Sequence, residues 1–107
     1  MASMKRYRVS YRNSAQDDLL VIYRAIVEVS QNRQTATNYL RRLRDRCDKI
    51  GDAPFAGVAR PDIGPGLRMA VFERRIVILY AVERDTVRIV NILSGTRDYA
   101  TLLHPPK

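Results

Sequence analysis

The chain has 107 residues, 46% of them hydrophobic and 28% charged, the composition of one globular domain with no room for a second core and no disordered bulk. Nineteen Lys and Arg against 11 Asp and Glu give a net charge of +8, and 16 of the cations are arginine. One cysteine excludes an intrachain disulfide, and no apolar run reaches the roughly 18 residues of a membrane span, so a cytoplasmic protein without membrane contact is expected.

Residues 6–12 alternate, with Tyr7, Val9 and Tyr11 on one side and Arg8, Ser10 and Arg12 on the other. That is the pattern of a half-buried strand with a wet, cationic face. Ser14 then reads as the cap of a first helix, with Asp17 in the capping-box position and Asp17 and Asp18 near the positive end of the dipole. Ala15, Leu19, Ile22, Tyr23 and Ile26 form its apolar stripe, and it should end near Ser30–Asn32. A second helix is expected from about Gln34 to Ile50. Ala36, Tyr39, Leu40, Leu43, Cys47 and Ile50 line one face, and the opposite face is charged. There, Arg41–Asp45, Arg44–Asp48 and Asp45–Lys49 are spaced as i,i+4 ion pairs. Gly51 reads as the C′ stop.

Four of the five glycines and three of the five prolines fall between Gly51 and Gly66. Such a segment propagates neither a helix nor a central strand. It reads as a stiff connection bracketed by Arg60 and Arg68. Three strands follow: Leu67–Phe72, Ile76–Val82 and Thr86–Leu93. The middle one is continuously apolar, which predicts a central strand covered on both faces. The links Glu73-Arg74-Arg75 and Glu83-Arg84-Asp85 are short enough for antiparallel hairpins. The order β-α-α-β-β-β over a single domain, residues 1–107, predicts an α+β fold with a helix hairpin on a mostly antiparallel sheet.

The chemistry these residues offer is narrow. One histidine, His104, in a Pro-flanked tail and one cysteine on an apolar helix face supply no metal-ligand cluster and no Cys–His nucleophile, and no cofactor is implied. Gly64-Pro65-Gly66 lacks the Lys-Ser/Thr ending of a phosphate loop and leads into a strand. The +8 charge serves solubility or attracts a polyanion: nucleic acid, a nucleic-acid enzyme or an acidic protein. General acid–base cleavage of RNA would need a proton acceptor, a donor and cations around the phosphate. Cations abound at Arg60, Arg68, Arg74, Arg75 and Arg97, but the acid–base pair is not evident. Tyr99 is the best-placed candidate, followed by Asp98 and Glu73. Tyr99 also reads as packing the tail onto the sheet, and Arg97–Asp98 as a charge-paired turn after Gly95.

Taken together, Tyr7-x-Val9, Ser14-x-x-x-Asp18-Leu19, Thr35-Ala36-x-x-Tyr39-x-x-x-Leu43, Pro54-x-x-Gly57, Arg60-Pro61, Gly64-Pro65-Gly66-Leu67-Arg68, Ile78-x-Tyr80-x-Val82 and Ile92-Leu93-x-Gly95-x-Arg97-Asp98 resemble the ParE branch of the RelE/ParE toxin superfamily. The match runs from about Tyr7 to Leu103, and Gly-Pro-Gly-Leu-Arg with Gly-x-Arg-Asp is its most specific part. The resemblance implies a toxin of a type II toxin–antitoxin system that inhibits DNA gyrase by binding rather than catalysis. It also implies a ParD-like antitoxin wrapped around the toxin, with a toxin homodimer conceivable inside the hetero-oligomer. On this reading the target-binding residues are Arg60, Arg68, Arg74, Arg75, Arg97 and Asp98, and the antitoxin-binding residues are Leu19, Tyr23, Tyr39 and Leu43. The alternative is a RelE-like ribosome-dependent mRNA endonuclease, which would draw on Arg68, Arg97 and Tyr99. This chain departs from the family pattern in having Ser94 where a histidine often precedes the glycine. It also lacks a glycine in the turn Glu73-Arg74-Arg75.

Overall fold

The computed structural model describes residues 6–96 and 98–103; Arg97 and His104 lie outside the described residues. In chain order the elements are β1 (Arg8–Tyr11), α1 (Asn13–Ser30), α2 (Arg33–Ile50), β2 (Val58–Ala59), β3 (Leu67–Phe72), β4 (Ile76–Glu83), β5 (Thr86–Ser94) and a terminal 3-10 turn, Tyr99–Leu103. The sheet order is β1-β5-β4-β3-β2, with β1 parallel to β5 and every other neighbour antiparallel. The expected α+β helix hairpin on a mostly antiparallel sheet is therefore the fold that forms. One strand is added, the two-residue β2, which is too short to show any alternation in sequence.

The core lies between the helix hairpin and one face of the sheet. Ala15, Leu19, Ile22 and Ile26 of α1 and Ala36, Tyr39, Leu43, Cys47 and Ile50 of α2 meet Phe72, Ile76, Ile78, Tyr80, Val87, Ile89 and Ile92. The Tyr39 ring meets the Phe72 ring edge-on at 5.5 Å. β4 is central, as its apolar run predicts, but the helices cover one face only. On the other face Val71, Val77 and Leu93 are cross-strand neighbours. Val71 and Leu93 are exposed and Val77 is half-buried, so the expectation of cover on both faces fails. Leu79 is buried on that open side, 4% exposed.

Ser14 and Asp18 do something other than cap a helix. β1 pairs only with Thr86–Ile89, which leaves the second half of β5 without a strand along that edge. The first turns of α1 fill the gap. The Ser14 hydroxyl donates to the Val90 carbonyl at 2.6 Å. The Asp18 carboxylate accepts from the Ile92 N–H at 2.8 Å and from Asn91 Nδ2 at 3.0 Å. Four residues apart, the two side chains share a helix face and satisfy ladder groups that would otherwise be orphaned. The capping box read from Ser14 and Asp17 is thus replaced: the cap position is Arg12, and its side chain makes no capping bond.

α2 starts one residue earlier than expected, because Asn32 caps it by accepting from the Thr35 N–H at 3.1 Å. None of the three i,i+4 pairs closes to ion-pair distance among the described residues. The arginines reach other elements instead. Arg42 Nε meets Glu73 at 3.1 Å, Arg46 Nε donates to the Val71 carbonyl at 3.1 Å, and Arg44 lies 5.2 Å over the Tyr11 ring. Gly51 adopts a right-handed conformation, φ −62°, so left-handed freedom is not why glycine stands there. The reason is space: a Cβ would sit 2.5 Å from the Tyr7 carbonyl oxygen, the strand-to-helix approach that also carries the Tyr7 N–H to Gly51 O bond of 2.9 Å.

Candidate functional site

The glycine- and proline-rich connection is held from below. The Tyr80 hydroxyl, deep in the core, donates to the Pro54 carbonyl at 2.8 Å and accepts from the Gly57 N–H at 3.1 Å. Burial raises its pKa above the ordinary tyrosine value, against an opposing pull from the Gly57 N–H and nearby arginines. Any Cβ on Gly57 would overlap that hydroxyl. Arg68 closes the same loop, donating to the carbonyls of Phe55 at 3.1 Å and Gly57 at 2.8 Å while lying 5.2 Å over the Phe55 ring. Pro54-x-x-Gly57, Arg68 and Tyr80 are therefore one clamp. Arg60 is also engaged: it makes a two-pronged bond to Asp62 at 3.0 and 2.8 Å and reaches Met69 Sδ at 3.3 Å. That hydrogen-bonded guanidinium lowers the Asp62 pKa.

The second arginine group sits at the other end of β3. Glu73 and Arg74 both have positive φ, 49° and 61°, and the Arg75 N–H returns to the Phe72 carbonyl at 3.1 Å, as a type I′ turn requires. Where glycine would be expected, two L-residues are held in the left-handed region. The Gly95 N–H donates to the Arg75 carbonyl at 2.9 Å, so the turn and the β5 exit lie side by side. Asp98 is exposed just beyond. Arg74 and Arg75 have no carboxylate partner among the described residues. The structure therefore sets Arg74 and Arg75 beside the β5 exit, with Asp98 three residues beyond Gly95, and leaves Arg60 and Arg68 at the other end of β3. The separation is about 17 Å of strand.

Of the residues nominated for a ribonuclease, Arg68 is committed to the Phe55 and Gly57 carbonyls. Tyr99 lies on the terminal turn, packed against the core beside α1. Arg97 falls outside the described residues.

Along the outer side of the hairpin runs a groove of about 670 Å³. α1 lines it with Gln16, Leu19, Leu20 and Tyr23, and α2 with Thr37, Leu40, Arg41, Arg44, Asp45 and Asp48. Both sets recur at helical spacing, so the groove runs along the two helices. Of the four residues nominated for the antitoxin, Leu19 and Tyr23 line this groove, Tyr23 half-buried and Leu19 only 4% exposed, whereas Tyr39 and Leu43 are core residues, 1% and 0% exposed. Leu20, exposed, and Leu40, half-buried, line the groove too, although neither is among the nominated residues. The signal was available: each widens its helix's apolar stripe by one position, further round than the sheet alone can cover.

The remaining perturbed groups are buried, and Tyr39 lies close enough to the second arginine group to feel Glu73 and Arg75. Desolvation pushes the Tyr39 hydroxyl up to about 12 and the Cys47 thiol up to about 11. The Tyr11 hydroxyl is raised too, by burial and by the Cys47 thiol beside it. The hydroxyls of Tyr11 and Tyr39 have no oxygen or nitrogen partner. No group of three metal-ligating side chains forms among the described residues, and no described helix is long and apolar enough to cross a membrane.

The geometry defines a small basic α+β domain with a grooved helix hairpin on one face and an arginine-bearing turn at one end. A chain from a solved structure, "Chromosomal ParDE TA system from P. aeruginosa", shares this fold with a TM-score of 0.72 at 20% identity, covering 86% of this chain and 99% of that one. Among curated proteins no sequence match was found. The model of the family described as "ParE toxin of type II toxin-antitoxin system, parDE" matches residues 9–99, and the chain belongs to that family.

Proposed function

We propose that this toxin poisons DNA gyrase by binding it and is held inactive by a ParD-like antitoxin. The observation that carries the reading is the family match across residues 9–99. The outer groove supports an antitoxin partner. Leu20, Tyr23 and Leu40 give it an apolar floor between charged rims, and an amphipathic helix would cover them. Arg74 and Arg75, without a carboxylate partner among the described residues and presented by a strained turn, together with Asp98, are the surface we assign to the target. Arg60 and Arg68 support that reading less, since both guanidiniums are already engaged within the chain.

The test uses the purified full chain. It should arrest gyrase supercoiling of relaxed plasmid and leave cell-free translation at its normal rate. Cleavage of mRNA on ribosomes with supercoiling intact would overturn the reading in favour of an endonuclease.

A further inference from the structure

A second concavity lies away from the helix groove, between the last turns of α2 and the β2–β3 ribbon. It encloses about 310 Å³, over a floor of Ile50, Ala53, Ala56, Gly57, Ala70 and Tyr80. The depth arises because four of those six positions are alanine or glycine. The Tyr80 hydroxyl at its base is already committed to Pro54 and Gly57, so the floor is effectively apolar. Arg46 and Lys49 stand on the rim. Arg46 is oriented by its Nε bond to the Val71 carbonyl. Neither cation has a carboxylate within 4.0 Å among the described residues. An apolar slot under two uncompensated cations selects an occupant with the opposite arrangement.

We propose that this slot docks an acidic peptide segment of a partner protein, with one apolar side chain in the slot and a flanking carboxylate on Arg46 and Lys49. Nucleic acid would have phosphates for the cations. Its bases, however, would meet a floor whose one side-chain hydroxyl is already committed and whose one ring, Tyr80, is only 1% exposed and offers little face for stacking. A leucine-sized side chain loses nothing there and gains burial. The site is independent of the target assignment above and separate from the groove lined by Leu20 and Leu40.

The test titrates the isotope-labelled full chain with the acetylated, amidated peptide Glu-Leu-Glu-Leu-Glu and follows amide shifts. Saturable shifts at Ala53, Ala56, Gly57 and Ala70 are expected, weakening as salt rises, with no such shifts from Lys-Leu-Lys-Leu-Lys. Lys49→Glu should weaken binding by about tenfold or more. Ala56→Leu, which fills the slot from an exposed position, should remove the shifts while leaving the melting temperature and the remaining spectrum unchanged. Shifts confined to Leu20, Tyr23 and Leu40 would overturn the proposal. So would shifts of the same slot residues by an oligothymidylate at equal concentration, or no response at millimolar peptide.

Discussion

Tyr39 and Tyr80 are each 1% exposed but carry opposite hydrogen-bond accounts. Tyr80 fixes the Pro54–Gly57 loop by two bonds, whereas the Tyr39 hydroxyl is buried without a partner. Deleting a satisfied hydroxyl orphans its neighbours, while deleting an unsatisfied one removes a desolvation penalty. Tyr80→Phe should therefore destabilise the fold by about 1–3 kcal/mol, and Tyr39→Phe should leave it unchanged or raise it by up to about 1 kcal/mol. Urea midpoints at constant slope check both, and equal losses for the pair would refute the argument. Cys47, the sole cysteine, allows a pH prediction with a clean readout. Its folded pKa, about 11, lies above the reference value of 9.0, so the folded state binds the thiol proton more tightly than the unfolded chain. That contribution to stability is complete below about pH 9 and is lost as pH rises toward 11. The elevated Tyr39 and Tyr11 hydroxyls act in the same direction at higher pH. Thiolate absorbance should appear only near pH 11 or on unfolding, and alkylation at pH 8.5 should be slow. Rapid alkylation of the native protein at that pH would contradict the burial of Cys47.

At the scale of elements, the edge of β5 is where a helix substitutes for a strand. Asp18→Ala removes the acceptor for the Ile92 N–H and for Asn91. It should cost about 1–3 kcal/mol and sharply raise hydrogen exchange at Ile92. Unchanged exchange there would mean that the edge is satisfied some other way. The Glu73–Arg74 turn makes the converse prediction. A left-handed L-residue carries roughly 1–2 kcal/mol of strain, so Arg74→Gly should stabilise by about 0.5–1 kcal/mol once glycine's extra unfolded-state entropy is subtracted, raising the urea midpoint. Elements of this kind mark the limit of what the sequence shows. The two helices, β3 and β5 were legible because a single buried face sets their apolar pattern, and β4 because its apolar run is unbroken. β2 was not, since two residues carry no period. The roles of Ser14, Arg42 and Arg46 were not legible either, because each side chain has a plausible local use, as cap or as helix-surface charge. Only the tertiary arrangement shows that they bond to Val90, Glu73 and Val71 instead. The groove itself is not legible in the sequence: of the four residues nominated for an antitoxin, Leu19, Tyr39 and Leu43 belong to the core and only Tyr23 is half-buried in the groove wall.

At the scale of the molecule, the groove on the hairpin and the Arg74–Arg75 turn lie on different parts of the surface. Neutralisation and poisoning should therefore be separable by mutation. Leu20 is 46% exposed, so Leu20→Asp removes little core packing and should alter stability by no more than about 0.5 kcal/mol. It places a carboxylate on the apolar floor, where a docking helix would have to desolvate it. Binding of a ParD-like antitoxin should fall by at least about tenfold while inhibition of supercoiling persists. The double variant Arg74→Ala with Arg75→Ala leaves the groove intact and removes two cations that have no carboxylate partner among the described residues. It should keep antitoxin affinity within about twofold, weaken gyrase inhibition, and flatten the salt dependence of that inhibition, because exposed charges act through a field that salt screens within about 10 Å at 0.1 M. Calorimetry with the antitoxin and supercoiling assays across salt concentrations measure the two effects independently. If either variant abolished both activities while remaining folded, the surfaces would be one, and the division of labour argued from the hairpin groove and the strained turn would be lost.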